Sequence, residues 1–155
     1  MSIIAPGAPA PELTLRTEAG EPFTRDDLAD KTTVLVFYPF AFSSVCTDQF
    51  QIYQEVLDDF AAQGATLYGV STDASDSQRA FRESLRVTIP MLSDFEPKGA
   101  TCKAFGAYFE AGGMSTRALV IIGPDQVVRW SWIGEHPGVL PGANLIFDGL
   151  AASRS

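Results

Sequence analysis

From Thr33 to Tyr38 the chain reads Thr-Val-Leu-Val-Phe-Tyr, β-branched, aromatic or Leu with no polar alternation. That pattern predicts a strand covered on both faces. Further on the period changes. Apolar residues recur at Phe50, Tyr53, Leu57 and Phe60, a helical spacing that predicts a helix over 47–62, stopped at Gly64. Thr66 to Ser71 is the next strand.

The flanking segments are read the same way. Glu12 to Arg16, then Ala19-Gly20 and Pro22-Phe23-Thr24, predict a small hairpin. Asp26-Asp27-Leu28 fits a single helical turn. Ser75 with Gln78 has the form of a capping box opening a helix over 76–85. Val87 to Leu92 is an extended piece, which Pro90 assigns to an edge or an irregular strand. Pro97 suits the first turn of a helix running to about Phe109 and ended by Gly112-Gly113. Ala118 to Ile122 and Val127 to Ile133 predict a hairpin around Gly123–Gln126, and Asn144 to Ala152 a closing helix.

In order, these elements give a hairpin, a βαβα unit, a further helix, a ββ hairpin and a last helix. A βαβ unit requires parallel strands with a right-handed crossover, and the late hairpin adds antiparallel strands to the same sheet. The expected fold is α/β of thioredoxin-like order: a mixed central sheet, helices on both faces and an amino-terminal hairpin. No repeat or linker divides the chain, so residues 1–155 are expected to form a single domain.

Composition narrows the function classes. A hydrophobic share of 46% with 19% charged residues is that of an ordinary globular chain. A formal net charge of -8 without any basic run argues against nucleic acid as a partner. No apolar run approaches a membrane span, and Met1 to Pro6 has neither the cationic nor the apolar region of a signal peptide. Two cysteines, Cys46 and Cys102, cannot make a scaffold of several disulfides, which suits a reducing compartment. The expectation is a cytoplasmic protein with no membrane partner.

Cys46 is the residue with chemistry. It falls where the buried strand gives way to the helix, so it sits near a helix N-terminus, where free N–H groups and the dipole favour a thiolate. Cys102 shares helical spacing with Phe105 and Phe109 and reads as a core thiol, with a resolving role as the alternative. His136 is the only histidine and has no cysteine beside it, so it is read as a loop residue and no metal is expected. Trp130 and Trp132 lie on one strand face and read as packing or interface residues. Phe40 and Phe42, in the loop before Cys46, suggest a dimer contact.

Pro39-x-x-x-Ser43-x-x-Cys46 resembles the active-site pattern of the peroxiredoxins, Pro-x-x-x-Thr/Ser-x-x-Cys. Ser115 to Ile122 is similar to the strand that carries that family's active-site arginine, here Arg117. The elements also arrive in the family's order, so the resemblance spans nearly the whole chain. It implies that Cys46 is the peroxidatic cysteine, that Pro39 shields the site, that Ser43 donates to the peroxide, and that Arg117 holds thiolate and substrate. It further implies a peroxide substrate, an external thiol or thioredoxin-like reductant, no cofactor, and a homodimer.

There are departures from the family pattern. Gln49 stands where the family often has Glu, and a neutral amide can hydrogen-bond an arginine without pairing its charge. Gln51 occupies the position of the resolving cysteine in bacterioferritin-comigratory-type members. The helix over 76–85 has no cysteine, and none follows Cys102. The pattern is most like the one-cysteine peroxiredoxins of the alkyl-hydroperoxide-reductase-E type. A two-cysteine cycle with Cys102 as resolver is the alternative.

A magnitude says where the rate must come from. A thiol of pKa roughly 8.5 is about 3% thiolate at neutral pH, so acidity alone can raise the reactive fraction only about 30-fold. Lowering the pKa also weakens the nucleophile. The remainder must come from donors aimed at the departing oxygen: the backbone N–H groups of Val45 and Cys46, the Ser43 hydroxyl and the Arg117 guanidinium. Two rivals remain on the same fold. A thiol–disulfide oxidoreductase would need a C-x-x-C pair, but Ser43 occupies its first position. The other rival is a non-catalytic binding module.

Overall fold

The computed structural model describes residues 3–136 and 138–154. Met1 and Ser2 of the amino-terminal stretch, Pro137 beside His136, and Ser155 lie outside the described residues. The elements in chain order are β1 (Leu15–Arg16), β2 (Pro22–Phe23), a 3-10 turn (Arg25–Leu28), β3 (Thr32–Phe37), α1 (Ser44–Glu55), α2 (Leu57–Ala62), β4 (Ala65–Ser71) and α3 (Ser75–Leu85). They continue with β5 (Met91–Ser93), α4 (Ala100–Phe105), β6 (Tyr108–Phe109), β7 (Met114–Ser115), β8 (Ala118–Ile122), β9 (Val128–Ile133) and α5 (Ala143–Ser153).

A seven-stranded sheet runs in the order β2-β1-β5-β4-β3-β8-β9. β3, β4 and β5 are parallel neighbours, while β8 pairs antiparallel with β3 and β9 with β8. The amino-terminal hairpin joins through the pairing of Arg16 with Ser93. This is the mixed sheet of thioredoxin-like order that the sequence pattern predicts.

β3 lies inside the sheet between β4 and β8, and alternate residues along it feed two cores. Val34, Val36 and Tyr38 face a cluster with Phe50 and Tyr53 of α1, Phe60 of α2, Phe81 of α3, and Ile146 and Leu150 of α5. Leu35 and Phe37 face the other cluster, with Leu28 and with Cys102 and Phe105 of α4. Burial of each large aliphatic or aromatic side chain contributes about 1.5–3 kcal/mol, so the end of β3, where the site begins, is firmly held. Gly69 of β4 lets α1 lie close to the sheet: a Cβ there would stand 2.9 Å from Cζ of Phe50. On β9, the half-buried Trp130 and Trp132 pack against the first core, as packing residues would.

Four local expectations need correction. The helix expected over 47–62 is two helices. At Val56 the N–H turns to the Tyr53 carbonyl, three residues back, which tightens and breaks the spiral. The apolar stripe continues through the break, and Gly64 ends it with φ +76°. The capping box at Ser75 does not form. The N-cap is Ala74, Ser75 Oγ donates to the Thr17 carbonyl, and Gln78 donates to Ser71 Oγ and the Leu92 carbonyl.

Of the extended piece 87–92, only Met91 and Leu92 belong to a strand, although Val87 and Ile89 are buried. The helix expected from Pro97 to about Phe109 is shorter. It covers Ala100–Phe105, stops at Gly106 with φ +79°, and gives way to the small β6-β7 hairpin. Asp94, not Pro97, organises its start, taking N–H bonds from Thr101 and Cys102 at 3.1 and 2.8 Å. No helix among the described residues is long and apolar enough to cross a membrane.

Candidate active site

The site begins where β3 ends. Tyr38 and Pro39 are buried, and the chain then loops outward through the exposed Phe40 and Phe42. Phe42 has φ +68°, a left-handed conformation costing roughly 1–2 kcal/mol in a non-glycine residue. Two contacts hold the loop in place. The Ala41 N–H donates to Asp73 Oδ2 at 2.7 Å, and the Phe42 ring meets Phe81 edge-on with centroids 5.4 Å apart. Asp73 is itself fixed by the Ser71 hydroxyl at 2.7 Å.

Ser43 is the N-cap of α1, with extended backbone, and its carbonyl accepts from the Thr47 N–H at 3.0 Å. Its hydroxyl makes no cap bond. Ser43 Oγ is buried and has no hydrogen-bond partner, a costly state unless a ligand oxygen occupies the gap. Cys46 sits in the first turn of α1, fully buried. First-turn N–H groups, those of Val45 and Cys46 included, have no carbonyl partner within the helix.

Arg117 lies just before the adjacent strand β8, whose Ala118 pairs with Phe37 at the end of β3. It is 1% exposed, and its carbonyl is tied to the Gly134 N–H at 2.9 Å. A buried guanidinium must be hydrogen-bonded to be tolerated. Nη2 points at Cys46 Sγ at 3.2 Å and Nη1 donates to Gln49 Oε1 at 2.7 Å. Gln49 in turn donates through Nε2 to Tyr53 Oη at 3.0 Å, and Tyr53 donates to the Pro141 carbonyl at 2.6 Å. Burial pushes the Tyr53 phenol well above its ordinary range, so it stays protonated.

Pro39, Phe40, Ser43, Val45, Met114, Arg117 and Gly138 line a surface depression of about 220 Å³, large enough for a small peroxide. Thus Pro39, Ser43, Val45 and Arg117 gather at one mouth, with Cys46 in contact with Arg117 beneath it and Gln49 behind the arginine. Cys102 is not among them. It packs in the opposite core, where burial and then the Asp94 carboxylate raise its pKa well above that of an ordinary thiol. His136 is exposed, and its Nδ1 accepts from the Gly138 N–H.

Sequence reading missed three contributors. Tyr53 looked like one more core aromatic, and Met114 carried no signal. Asp73 had one: it follows the carboxyl end of β4, the parallel neighbour of β3, where ligand-contacting residues of α/β sheets collect.

The structure thus brings a buried cysteine at a helix start, a guanidinium on its sulfur and a hydroxyl without a protein partner to one small depression. Residues 6–131 match the AhpC/TSA family. The chain belongs to that family: it is a peroxiredoxin, a thiol peroxidase among the oxidoreductases.

Alkyl hydroperoxide reductase E of Mycobacterium tuberculosis is 29% identical over 147 residues, which cover 94% of this chain and 95% of that protein. Peroxiredoxin 2 of Thermoplasma acidophilum is 31% identical over 130 residues, 80% of this chain and 64% of its own. Among solved structures, Enterococcus faecalis AhpC superimposes with a TM-score of 0.86 at 25% identity, covering 99% of this chain and 93% of that one. Peroxidoxin BcpB from Mycobacterium tuberculosis gives a TM-score of 0.80 at 26% identity and covers 97% of both.

Proposed function

We propose that Cys46 is the peroxidatic residue of a one-cysteine peroxidase that reduces hydrogen peroxide and organic hydroperoxides and is regenerated by an external thiol. The observation that carries this reading is the 3.2 Å contact of Arg117 Nη2 with Cys46 Sγ, beneath a depression also lined by the unpartnered Ser43 hydroxyl.

In this reading the Cys46 thiolate attacks one peroxide oxygen. The S–O bond forms as the O–O bond breaks, and the departing oxyanion takes a proton from solvent and leaves as water or alcohol, with Cys46 as sulfenic acid. Arg117, Ser43 and the Val45 and Cys46 N–H groups face the charge that moves onto the departing oxygen. Each preorganised donor of this kind supplies about 10²-fold. Pro39 closes one wall. An external thiol, small or thioredoxin-like, then displaces water from the sulfenic acid to give a mixed disulfide. A second thiol releases Cys46 and carries away the disulfide. A reducing compartment, the cytoplasm, suits this cycle.

The location of Cys102 in the opposite core supports an external rather than an internal resolver. We take the chain as one catalytic domain acting as a homodimer, in which a second copy covers the exposed Phe40 and Phe42. Peroxide consumption with a dithiol reductant tests the assignment. Turnover is expected from the unaltered protein and none from Cys46→Ser; equal turnover in both would refute it.

A further inference from the structure

Behind the arginine, Gln49 is held at both ends by groups of fixed hydrogen-bond polarity. A guanidinium can only donate, so the atom facing Arg117 must be Oε1. The Tyr53 hydroxyl has one proton, and a carbonyl can only accept, so that proton goes to Pro141. Tyr53 Oη must therefore accept from the other end of the amide, as it does at 3.0 Å. Gln49, Tyr53 and Pro141 are all buried, so no solvent competes for these bonds.

We propose that Tyr53 is a positioning residue for peroxide reduction: it fixes Gln49, which fixes the Arg117 guanidinium against Cys46. The relay runs from the Pro141 carbonyl, in the loop leading to α5, through α1 to the reacting sulfur. Its force lies in the middle residue. Gln49 is held by bonds at each end of one planar group, so losing the Tyr53 oxygen leaves Nε2 buried without an acceptor. The amide then swings to find one and takes Oε1 off the guanidinium. The Phe50–Tyr53 ring contact, with centroids 6.2 Å apart, needs no hydroxyl and survives in Tyr53→Phe.

The inference rests on the assignment of Cys46 and Arg117 to the reacting centre. Loss of turnover in Cys46→Ser reports on that assignment separately. The test is a double-mutant cycle on the second-order rate of Cys46 oxidation by hydrogen peroxide. Displacing a positioned group by about an ångström costs on the order of 10²-fold, so Tyr53→Phe is expected to slow oxidation about 10- to 100-fold. In a Gln49→Ala background the same change is expected to add almost nothing, because Tyr53 acts through Gln49. An unchanged rate in Tyr53→Phe, or an equal loss in both backgrounds, would overturn the proposal.

If Tyr53→Phe does not fold, NMR of the unaltered protein provides the test. The Gln49 side-chain amide protons are expected to resonate outside the range of exposed glutamines and to exchange slowly with solvent. Shifts and exchange rates equal to those of an exposed glutamine amide contradict the relay.

Discussion

Cys46 packs with Val34, Val36 and Tyr38 on one face of β3, while Cys102 packs with Leu35 and Phe37 on the other. A disulfide requires Cα atoms within about 7 Å. Packed layers stand about 8–10 Å apart, so thiols on opposite sides of a sheet are out of each other's reach while the sheet is intact. This separation supports the proposal that Cys46 depends on an outside thiol.

The Ser43 hydroxyl separates activity from stability. Because Oγ is buried and makes no protein hydrogen bond, Ser43→Ala breaks no cap and relieves an unpaired hydroxyl, so its unfolding free energy is expected to be no lower than the parent's and up to about 1–3 kcal/mol higher. Oxidation by peroxide is expected to slow by about 10²-fold, the loss of one preorganised donor. Thermal unfolding and peroxide kinetics on the same preparations check both halves.

Arg117 is expected not to tolerate lysine. Its two terminal nitrogens reach different partners, Gln49 and Cys46, whereas an ammonium is one point charge at the end of a flexible stem. Arg117→Lys should keep the charge and still lose about 10²-fold or more in oxidation rate. Trapping the sulfenic acid with a nucleophilic probe over a time course measures this, and a rate near the parental value would count against the geometric role.

Cys102 predicts how stability changes with pH. Its pKa in the folded chain is raised by burial and then by Asp94, so the fold favours the neutral thiol. Stability from this group is full below the unfolded-state value of about 8.5 and is lost as pH rises above it, because the unfolded chain ionises first. Tyr38 and Tyr53 are raised in the same direction by burial, but their loss begins only near about pH 10. Urea unfolding across this range should show stability falling from about pH 8.5, and in Cys102→Ala the onset should move toward about pH 10.

The legible parts of the fold were those set by long apolar patterns. β3, β4, β8 and β9 followed from runs rich in β-branched, aromatic and Leu residues, and the strand-to-helix junction at Cys46 from a change of period. Less legible was whatever depends on distant partners. Ser75 and Gln78 have capping-box spacing, yet their side chains bond Thr17, Ser71 and Leu92. Asp94 reaches forward to start α4 in a way local spacing does not reveal.

The site divides along the same line. Pro39, Ser43 and Cys46 are close in the chain and Arg117 marks the start of a buried strand, so both could be read from the sequence. Tyr53 fits the apolar stripe of α1 just as well as it fits the relay. Only its bond to Pro141, 88 residues away in the chain, distinguishes the two.

The most direct test of the one-cysteine proposal is the intact mass of the protein after one equivalent of hydrogen peroxide, compared with Cys46→Ser. The expected result is a gain of one oxygen in the unaltered chain and no gain in the variant. Loss of two hydrogens would mean that Cys102 resolves the sulfenic acid, and an equal gain of oxygen in Cys46→Ser would mean that the reactive sulfur is elsewhere.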